Sequence, residues 1–340
     1  MIKIIGAGPA GSYLGYLLAK SGKSVDIYEE HKEIGYPIQC AGIITSSIQK
    51  IINIPKEIIL NEITQFNVIY KDKNIILKVK PNLVLDRAKF DQFLAKKAEE
   101  AGVKIHLNSK YISNDNKKII INQEKIPFRY LIGADGPSSL VSKNNNFKKN
   151  KLIYGIQATI DGNFEIQTSN IYLNFGNFAW LIPISKTKAR LGLISKTPKK
   201  DFDNLVKELK PKILEYQAGT IPIFKKKQLQ KNNIFLLGDA AAQIKLTTYG
   251  GIIPGLEAAK ELSEAIIKNK QYKPKNKELI VSRLLRNKLN KFTEKDYDLL
   301  FTYFNKKIKL ILENNDRDYP SKILLKLIIA QPKLLRFLIS

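Results

Sequence analysis

The sequence predicts an α/β protein with three parts: a doubly wound first domain, an inserted and mainly antiparallel sheet domain, and a short C-terminal helical region. Three observations carry this expectation. A short apolar run at Ile2–Ile5 leads into a glycine-rich turn and then a helical stretch, the pattern of a buried parallel strand and its crossover helix. From about 151 to 231 the pattern changes to short alternating segments such as IYGIQATI, SNIYLNF and ARLGLIS, as antiparallel strands require. Residues 234–238 (IFLLG) then return to the buried-strand pattern. The first domain is therefore discontinuous.

Taken in order, residues 2–5, 12–20 and 24–28 read as one strand–helix–strand unit, of the length a parallel crossover needs. Residues 63–70 and 74–80 alternate around a polar turn at 71–74 and predict a hairpin. Residues 88–100 have apolar positions at helical spacing, closed by Gly102, and 103–107 return as a strand. The expected division is 1–60, 85–150 and 232–268 for the first domain, 61–84 and 151–231 for the sheet domain, and 269–340 for the helical region. No internal repeat is visible.

The 340 residues, 44% of them apolar, suffice for more than one core. The formal net charge is +26. Such a balance usually points to nucleic acid or an anionic membrane. Here lysine greatly outnumbers arginine, and Ile and Asn are abundant, as A/T-rich codon usage produces. A solvated lysine surface is thus favoured over an anionic lipid partner, and RNA comes last; no nucleic-acid partner is expected. The single cysteine, Cys40, excludes an intramolecular disulfide and fits a reducing cytoplasm. Two histidines argue against a His-rich metal site and a Ser-His-Asp hydrolase; no metal is expected. The N-terminus lacks the pattern of a signal peptide, and no apolar stretch is long enough to span a membrane.

Three motifs carry the chemistry. The first is Gly6-Ala7-Gly8-Pro9-Ala10-Gly11, between a strand and a helix. In a Rossmann-like turn Gly6 permits the tight bend, Gly8 lets backbone approach a pyrophosphate, and Gly11 lets the helix pack on the strand. Glu29, at the end of the second strand, is placed to accept hydrogen bonds from an adenosine ribose. The second is Gly238-Asp239-Ala240-Ala241-Ala242 after the IFLLG strand, with Gly250-Gly251-Ile252 beyond it. A second Gly-Asp at a strand end suits FAD, whose ribityl chain and pyrophosphate reach a second loop: Asp239 would bond the ribityl chain and Gly251 would pass close to the flavin. The third is Gly133-Ala134-Asp135-Gly136-Pro137-Ser138-Ser139. It reads either as a further cofactor loop containing Asp135 or as a turn whose serine caps a helix.

In this order, with LDRAKFDQFLAKKA between the first and third motifs, the chain resembles the flavoprotein oxidoreductases of the para-hydroxybenzoate hydroxylase fold. Within them, Gly35-Tyr36-Pro37-Ile38-Gln39-Cys40-Ala41-Gly42 looks like the geranylgeranyl reductases, which saturate isoprenoid chains of membrane lipids or of chlorophyll and quinone precursors. Phe178-Ala179-Trp180-Leu181-Ile182-Pro183, with Gly192 beyond, is similar to the stretch that shapes that family's lipid cavity, except that Ile182 replaces a Phe and Ile194 a Gly. The resemblance covers residues 1 to about 265, and the chain looks short beyond about 270. It implies FAD as cofactor, contacted by Ala10, Glu29, Cys40, Ala41, Gly42, Arg87, Asp239, Gly251 and Ile252, and a cavity walled by Phe178, Trp180, Pro183 and Gly192. It implies an isoprenoid lipid substrate and a reduced electron donor, either a ferredoxin-like carrier or NAD(P)H. Arg87 also starts a helix, where its fixed charge suits a phosphate or a polarised ring oxygen.

Reduction of an isolated alkene needs a hydride and a proton. Cys40 reads either as the proton donor or as a small apolar contact to the ring, and Tyr249 is a second proton-donor candidate. The segment 321–340 is basic and amphipathic, suited either to an anionic membrane at the inner face or to the protein's own core, with Pro332 breaking it. A monomer is expected. The alternatives are a monooxygenase of the same fold, a lipid cyclase without net redox, and a flavin-bearing lipid-binding or RNA-binding protein.

Overall fold

Four short, mostly apolar runs pair side by side because each buries both faces only between neighbours, and a fifth parallel strand, Lys104–His106, lies half-exposed at the edge. The computed structural model describes residues 1–339 and divides into two units. The first comprises Met1–Ile38, Arg87–Leu152 and Ile221–Leu279. Its sheet runs Gln230–Lys231, Ile234–Leu236, Tyr130–Gly133, Ile2–Ile5, Val25–Tyr28, Lys104–His106. All neighbours are parallel except the antiparallel edge Gln230–Lys231.

Strand Ile2–Ile5 is buried throughout, including Lys3. The Lys3 ammonium lies 2.6 Å from Asp26 Oδ2 and 3.2 Å from the Tyr28 hydroxyl, and His106 Nε2 lies 3.2 Å from Asp26 Oδ1. Burial alone would raise the Asp26 pKa; the bonds to Lys3 and His106 outweigh it and hold the carboxyl below its usual range. Helix Pro9–Lys20 starts earlier than the expected residue 12 because Pro9 fits the first turn, where no N–H is needed. Helices Arg87–Glu100 and Ile252–Ile267 pack against it. Gly102, at φ +96°, ends the former as expected. A three-stranded antiparallel sheet, Tyr111–Asn114, Lys118–Ile121 and Glu124–Pro127, was not legible in the sequence. Its strands are four residues long, and its first turn is closed by Asp115, whose carboxylate accepts from the backbone of Lys117 and Lys118.

The second unit comprises Gln39–Asp86, Ile153–Thr220 and Ile280–Ser340. Its sheet is ordered Lys212–Ile223, Lys151–Asp161, Lys188–Ser195, Phe178–Pro183, Thr168–Tyr172, Ile59–Tyr70, Lys73–Leu85, Ile43–Thr45. From Lys151–Asp161 across to Ile43–Thr45 the pairs are antiparallel, except that Thr168–Tyr172 lies parallel to Ile59–Tyr70. The hairpin is longer than expected and turns at Lys71-Asp72, with Lys71 at φ 54°. One sheet face packs Ala158, Leu191 and Leu193 against Phe202 and Leu205 of helix Pro198–Leu209. By alternation the other face carries Gln157, Gly192 and Trp180, aligned across three strands.

The contact boundaries fall elsewhere than the sequence division placed them. Residues 39–60 group with the second unit, 221–231 with the first, and 280–340 with the second instead of standing apart. Asp318 shows why: its carboxylate accepts from the Thr45 and Ser47 hydroxyls within that unit. Helix Pro320–Ala330 ends before Pro332, and two short helical turns follow to Ile339; Ser340 of the amphipathic segment lies outside the described residues. Among the described residues no helix is long and apolar enough to cross a membrane.

Candidate functional site

The first unit builds a glycine-lined cradle at the end of strand Ile2–Ile5. Gly6 has φ +101°, and a Cβ there would sit 2.4 Å from the Ala134 carbonyl oxygen. A Cβ on Gly11 would sit 2.2 Å from the Gly6 carbonyl oxygen. Both are dictated by the chain's own packing. Gly8 differs: a Cβ there would meet nothing within 4 Å, and the residue begins helix Pro9–Lys20 without any side-chain cap. Open space thus faces uncapped N–H groups at the positive end of a helix, which fits a pyrophosphate. Glu29 closes the cradle. Its Oε2 accepts from Ala7 N at 2.8 Å, and its Oε1 from His31 N at 3.1 Å with His31 Nδ1 at 2.6 Å. A carboxylate keeps lone pairs beyond these for ribose hydroxyls.

Ala10 joins the two glycine motifs. A Cβ on Gly238 would lie 3.0 Å from the Ala10 Cβ, and one on Gly255 3.5 Å from it. Asp239 follows in a tight turn. Its half-buried carboxylate forms no hydrogen bond or ion pair among the described residues; burial pushes its pKa up to about 6, against the pull of Arg87. Gly251 lies directly beneath it, since a Cβ there would be 3.1 Å from Asp239 Oδ1. Gly251 also begins helix Ile252–Ile267 without a side-chain cap. An unengaged carboxylate between two uncapped helix starts is the donor and acceptor set that FAD's ribityl chain and phosphates need, so the residues present fit that cofactor. Tyr249, in the turn where Lys245 N donates to the Gly250 carbonyl, is buried with φ 53°.

Two further expected contacts have partners within the chain as well. Asp135 accepts from Ser139 Oγ at 2.6 Å and from Val141 N at 3.1 Å, while Ser139 Oγ accepts from Ser142 N at 2.9 Å. Both Asp135 oxygens therefore serve the turn and the start of helix Leu140–Asn144, the capping alternative of the third motif. Arg87 pairs with Asp91, one turn along its own helix: Nη2 donates to Oδ1 and Oδ2 at 2.9 and 3.1 Å, and Nε to Oδ1 at 3.3 Å. It reaches Asp239 only as a through-space charge.

Two residues that the sequence did not mark hold the Asp239 turn. Asn150 Nδ2 donates to the carbonyls of Asp239 and Ala240 at 3.3 and 3.2 Å. Lys227 Nζ donates to Asn150 Oδ1 at 2.6 Å, Lys148 O at 3.1 Å and Ala240 O at 3.3 Å. Burial lowers the Lys227 pKa to about 8.

The second unit contains the cysteine loop and the tryptophan. Gly42 N donates to Cys40 Sγ at 3.3 Å. The loop's carbonyls are held from the sheet: Gln157 Nε2 donates to Cys40 O at 3.1 Å, and Arg190 Nη1 to Ala41 O at 2.8 Å and Leu85 O at 3.2 Å. Gly42 requires glycine because of its φ of +76° and because a Cβ would lie 2.8 Å from the Leu85 carbonyl oxygen. On the same sheet face a Cβ at Gly192 would fall 2.6 Å from Trp180 Cζ2 and 2.5 Å from Gln157 Cβ. Among the described residues Trp180 Nε1 and Gln157 Oε1 are buried without a hydrogen-bond partner, an orphaned donor and acceptor on this face. Phe178 shares this face, 6.0 Å between ring centroids from Trp180, as do Ile182 and Ile194 by alternation. Pro183 does not: it alternates to the opposite face, where it pairs with Ala189.

A family model described as an NAD(P)-binding Rossmann-like domain matches residues 4–41. A protein of the nifH2 5′ region of Methanosarcina barkeri is 33% identical over 159 residues, 42% of this chain and 86% of that one. A digeranylgeranylglycerophospholipid reductase of Methanocaldococcus jannaschii is 25% identical over 386 residues, covering 99% of this chain and 96% of that one. Among solved structures, a geranylgeranyl bacteriochlorophyll reductase-like protein of Thermoplasma acidophilum superposes with TM-score 0.81 at 22% identity, covering 99% of this chain and 98% of that one. The halogenase PltM, solved with FAD, superposes with TM-score 0.65 at 15% identity, covering 92% and 79%. The similarity to the Methanocaldococcus jannaschii reductase and to the Thermoplasma acidophilum structure thus continues past residue 265, through the C-terminal helices.

Proposed function

Because this chain belongs to the geranylgeranyl reductase family of FAD-dependent oxidoreductases, we propose that it saturates carbon–carbon double bonds in the geranylgeranyl chains of membrane lipids or their precursors. The observation that carries this reading is the relation, over the full length of both chains, to a digeranylgeranylglycerophospholipid reductase.

Bound at this site, reduced FAD would supply the hydride that the reaction needs. The chain's own residues do the rest. The Gly8 helix start and the Glu29 carboxylate would hold the phosphates and the adenosine ribose, and Asp239 would accept from the ribityl hydroxyls. Trp180, Phe178 and Ile182 form an apolar wall that orients a prenyl chain and keeps water from it. The proton for the second carbon comes from the Cys40 thiol. Gly42 N–H donates to that sulfur and leaves the S–H proton free to transfer, and the loop is held in place by Gln157 and Arg190. Tyr249 is the alternative donor. The electron donor is a reduced carrier protein or NAD(P)H.

A peripheral contact with an anionic membrane completes the reading. On helix Pro320–Ala330, Leu325 and Ile329 are 62% and 73% exposed and stand beside exposed Lys322 and Lys326, a pairing suited to an interfacial helix. Sedimentation with anionic but not neutral vesicles checks this contact.

The function is tested anaerobically. The purified holoprotein is reduced with dithionite and mixed with digeranylgeranylglyceryl phospholipid in detergent. Flavin reoxidation together with a gain of two hydrogens per double bond in the lipid's mass is the expected result. A flavin that stays reduced, with unchanged lipid, overturns the reading; oxygenated lipid formed only on admitting air indicates the monooxygenase alternative.

A further inference from the structure

The second unit contains an arginine for which the fold supplies no hydrogen-bonding counter-charge. Arg317 lies in the turn between helices Lys306–Asn314 and Pro320–Ala330. Its guanidinium stands over the Phe66 ring, 5.1 Å from the centroid. Among the described residues it donates no hydrogen bond and forms no ion pair; the neighbouring Asp316 acts on it only through space, and Asp316 Oδ1 accepts from Asp318 N at 2.9 Å.

The position is fixed rather than incidental. Asp318, the next residue, is anchored to Thr45 and Ser47, and Tyr319 N donates to Asp316 O at 3.1 Å. The side chain is half-buried, enclosed by protein yet reached by solvent. Enclosure pushes its pKa down to about 10, the mark of a cation that has lost water without gaining a partner. A planar fork of five N–H donors is the side chain best shaped for a phosphate.

Its location says whose phosphate. Phe66 pairs with Ser169, and Trp180 with Ile171, so Phe66 and Trp180 face the same side of the sheet. They lie two strands apart and two residues out of line, about 12 Å by strand geometry. One sheet face therefore presents a charged end at Arg317 and an apolar end at Trp180. We infer that Arg317 is the receptor for the phosphate of an anionic lipid headgroup, the prenyl chain of the same molecule extending toward Trp180. This rests on the prenyl-lipid reading above.

Trp180 is the single tryptophan of the chain, so its fluorescence reports occupancy of this face. The holoenzyme is titrated with geranylgeraniol, with geranylgeranyl monophosphate and with inorganic phosphate. The wild type should bind the phosphate ester at least tenfold more tightly than the alcohol, with inorganic phosphate a weak competitor of the ester alone. Arg317→Met should abolish that preference while leaving the alcohol's affinity unchanged, and Arg317→Lys should restore part of it. Equal affinity for ester and alcohol in the wild type overturns the proposal, whether or not the variants fold. So does a preference that survives in Arg317→Met, or inorganic phosphate binding as tightly as the ester. Failure of both prenyl compounds to bind overturns the lipid reading itself, and the proposal with it.

Discussion

Trp180 lies flat across Gly192, so close that a Cβ on the glycine would reach to 2.6 Å of the indole Cζ2 and 2.5 Å of Gln157 Cβ. The indole is buried on one side of the sheet, its N–H unpaired among the described residues. A methyl group at 192 must push it away from the strand or force Gln157 off Cys40 O. Gly192→Ala should therefore destabilise the protein by about 1–3 kcal/mol, the usual cost of overpacking. It should also shift the Trp180 emission to longer wavelength. Urea unfolding and the emission spectrum check both; an unmoved spectrum would mean that the ring does not rest on the glycine.

Gly8 and Gly11 stand three residues apart and should respond oppositely to alanine. Gly8 has backbone angles that any residue adopts and open space around its missing Cβ. Gly8→Ala should leave the apoprotein within about 1 kcal/mol of wild type, the scale of an N-cap change, yet weaken FAD binding at least tenfold by filling the pyrophosphate's space. Gly11→Ala drives a Cβ to 2.2 Å of a backbone oxygen that cannot step aside. It should cost about 3 kcal/mol or more. Apoprotein unfolding beside fluorimetric FAD titration separates the two. Equal FAD affinity in Gly8→Ala and wild type would remove Gly8 from the cofactor site.

The parts of the site legible in the sequence are those whose role follows from neighbours along the chain. Gly6, Gly8 and Gly11 need only a strand before them and a helix after, and Asp239 a strand end. Lys227, Asn150, Gln157, Arg190 and Arg317 were not legible because each acts on a group remote in sequence. A buried lysine is indistinguishable, as a letter, from the others among 57 basic residues. The same limit misplaced Pro183 and hid the partners of Asp135. A motif shows that a residue is needed, but strand alternation put Pro183 on the far face, and a helix start drew in the Asp135 oxygens. The hairpin at 59–85 was read short because its bulges, between Ile59 and Asn61 and between Ile63 and Gln65, break the alternation that marks a strand.

If Asp239 holds the ribityl chain as proposed, it sets cofactor binding against stability. Its folded pKa is raised to about 6 from 3.8, so the folded apoprotein binds this proton more tightly than the unfolded chain. The stability this contributes is complete below about pH 4 and is lost as pH rises through about 6. Two units correspond to about 3 kcal/mol; the carboxylate's partial exposure reduces the expectation to about 1 kcal/mol. Apoprotein stability should thus fall with rising pH across that window, and Asp239→Asn should remove the slope and be the more stable protein at pH 7. The same variant should bind FAD more weakly, having lost a charged acceptor for the ribityl hydroxyls. A less stable apo Asp239→Asn would mean that the carboxylate has a partner within the fold.

Lys227 runs in the opposite sense. Its folded pKa is lowered to about 8 from 10.5, so its stabilising contribution is complete above about pH 10.5 and is lost as pH falls through about 8. Apoprotein stability should carry a rising component between those values, absent from Lys227→Met. The methionine leaves Asn150 Oδ1 and two carbonyls without their donor, and Asn150 in turn holds the carbonyls of Asp239 and Ala240. FAD affinity should fall about tenfold in Lys227→Met and similarly in Asn150→Ala, about 1.4 kcal/mol each. Because both act through one network, the double variant should lose little more than either single one. Full additivity in FAD titrations would show that Lys227 and Asn150 reach the cofactor by separate routes, and would dissolve the link between the buried ammonium and the Asp239 turn.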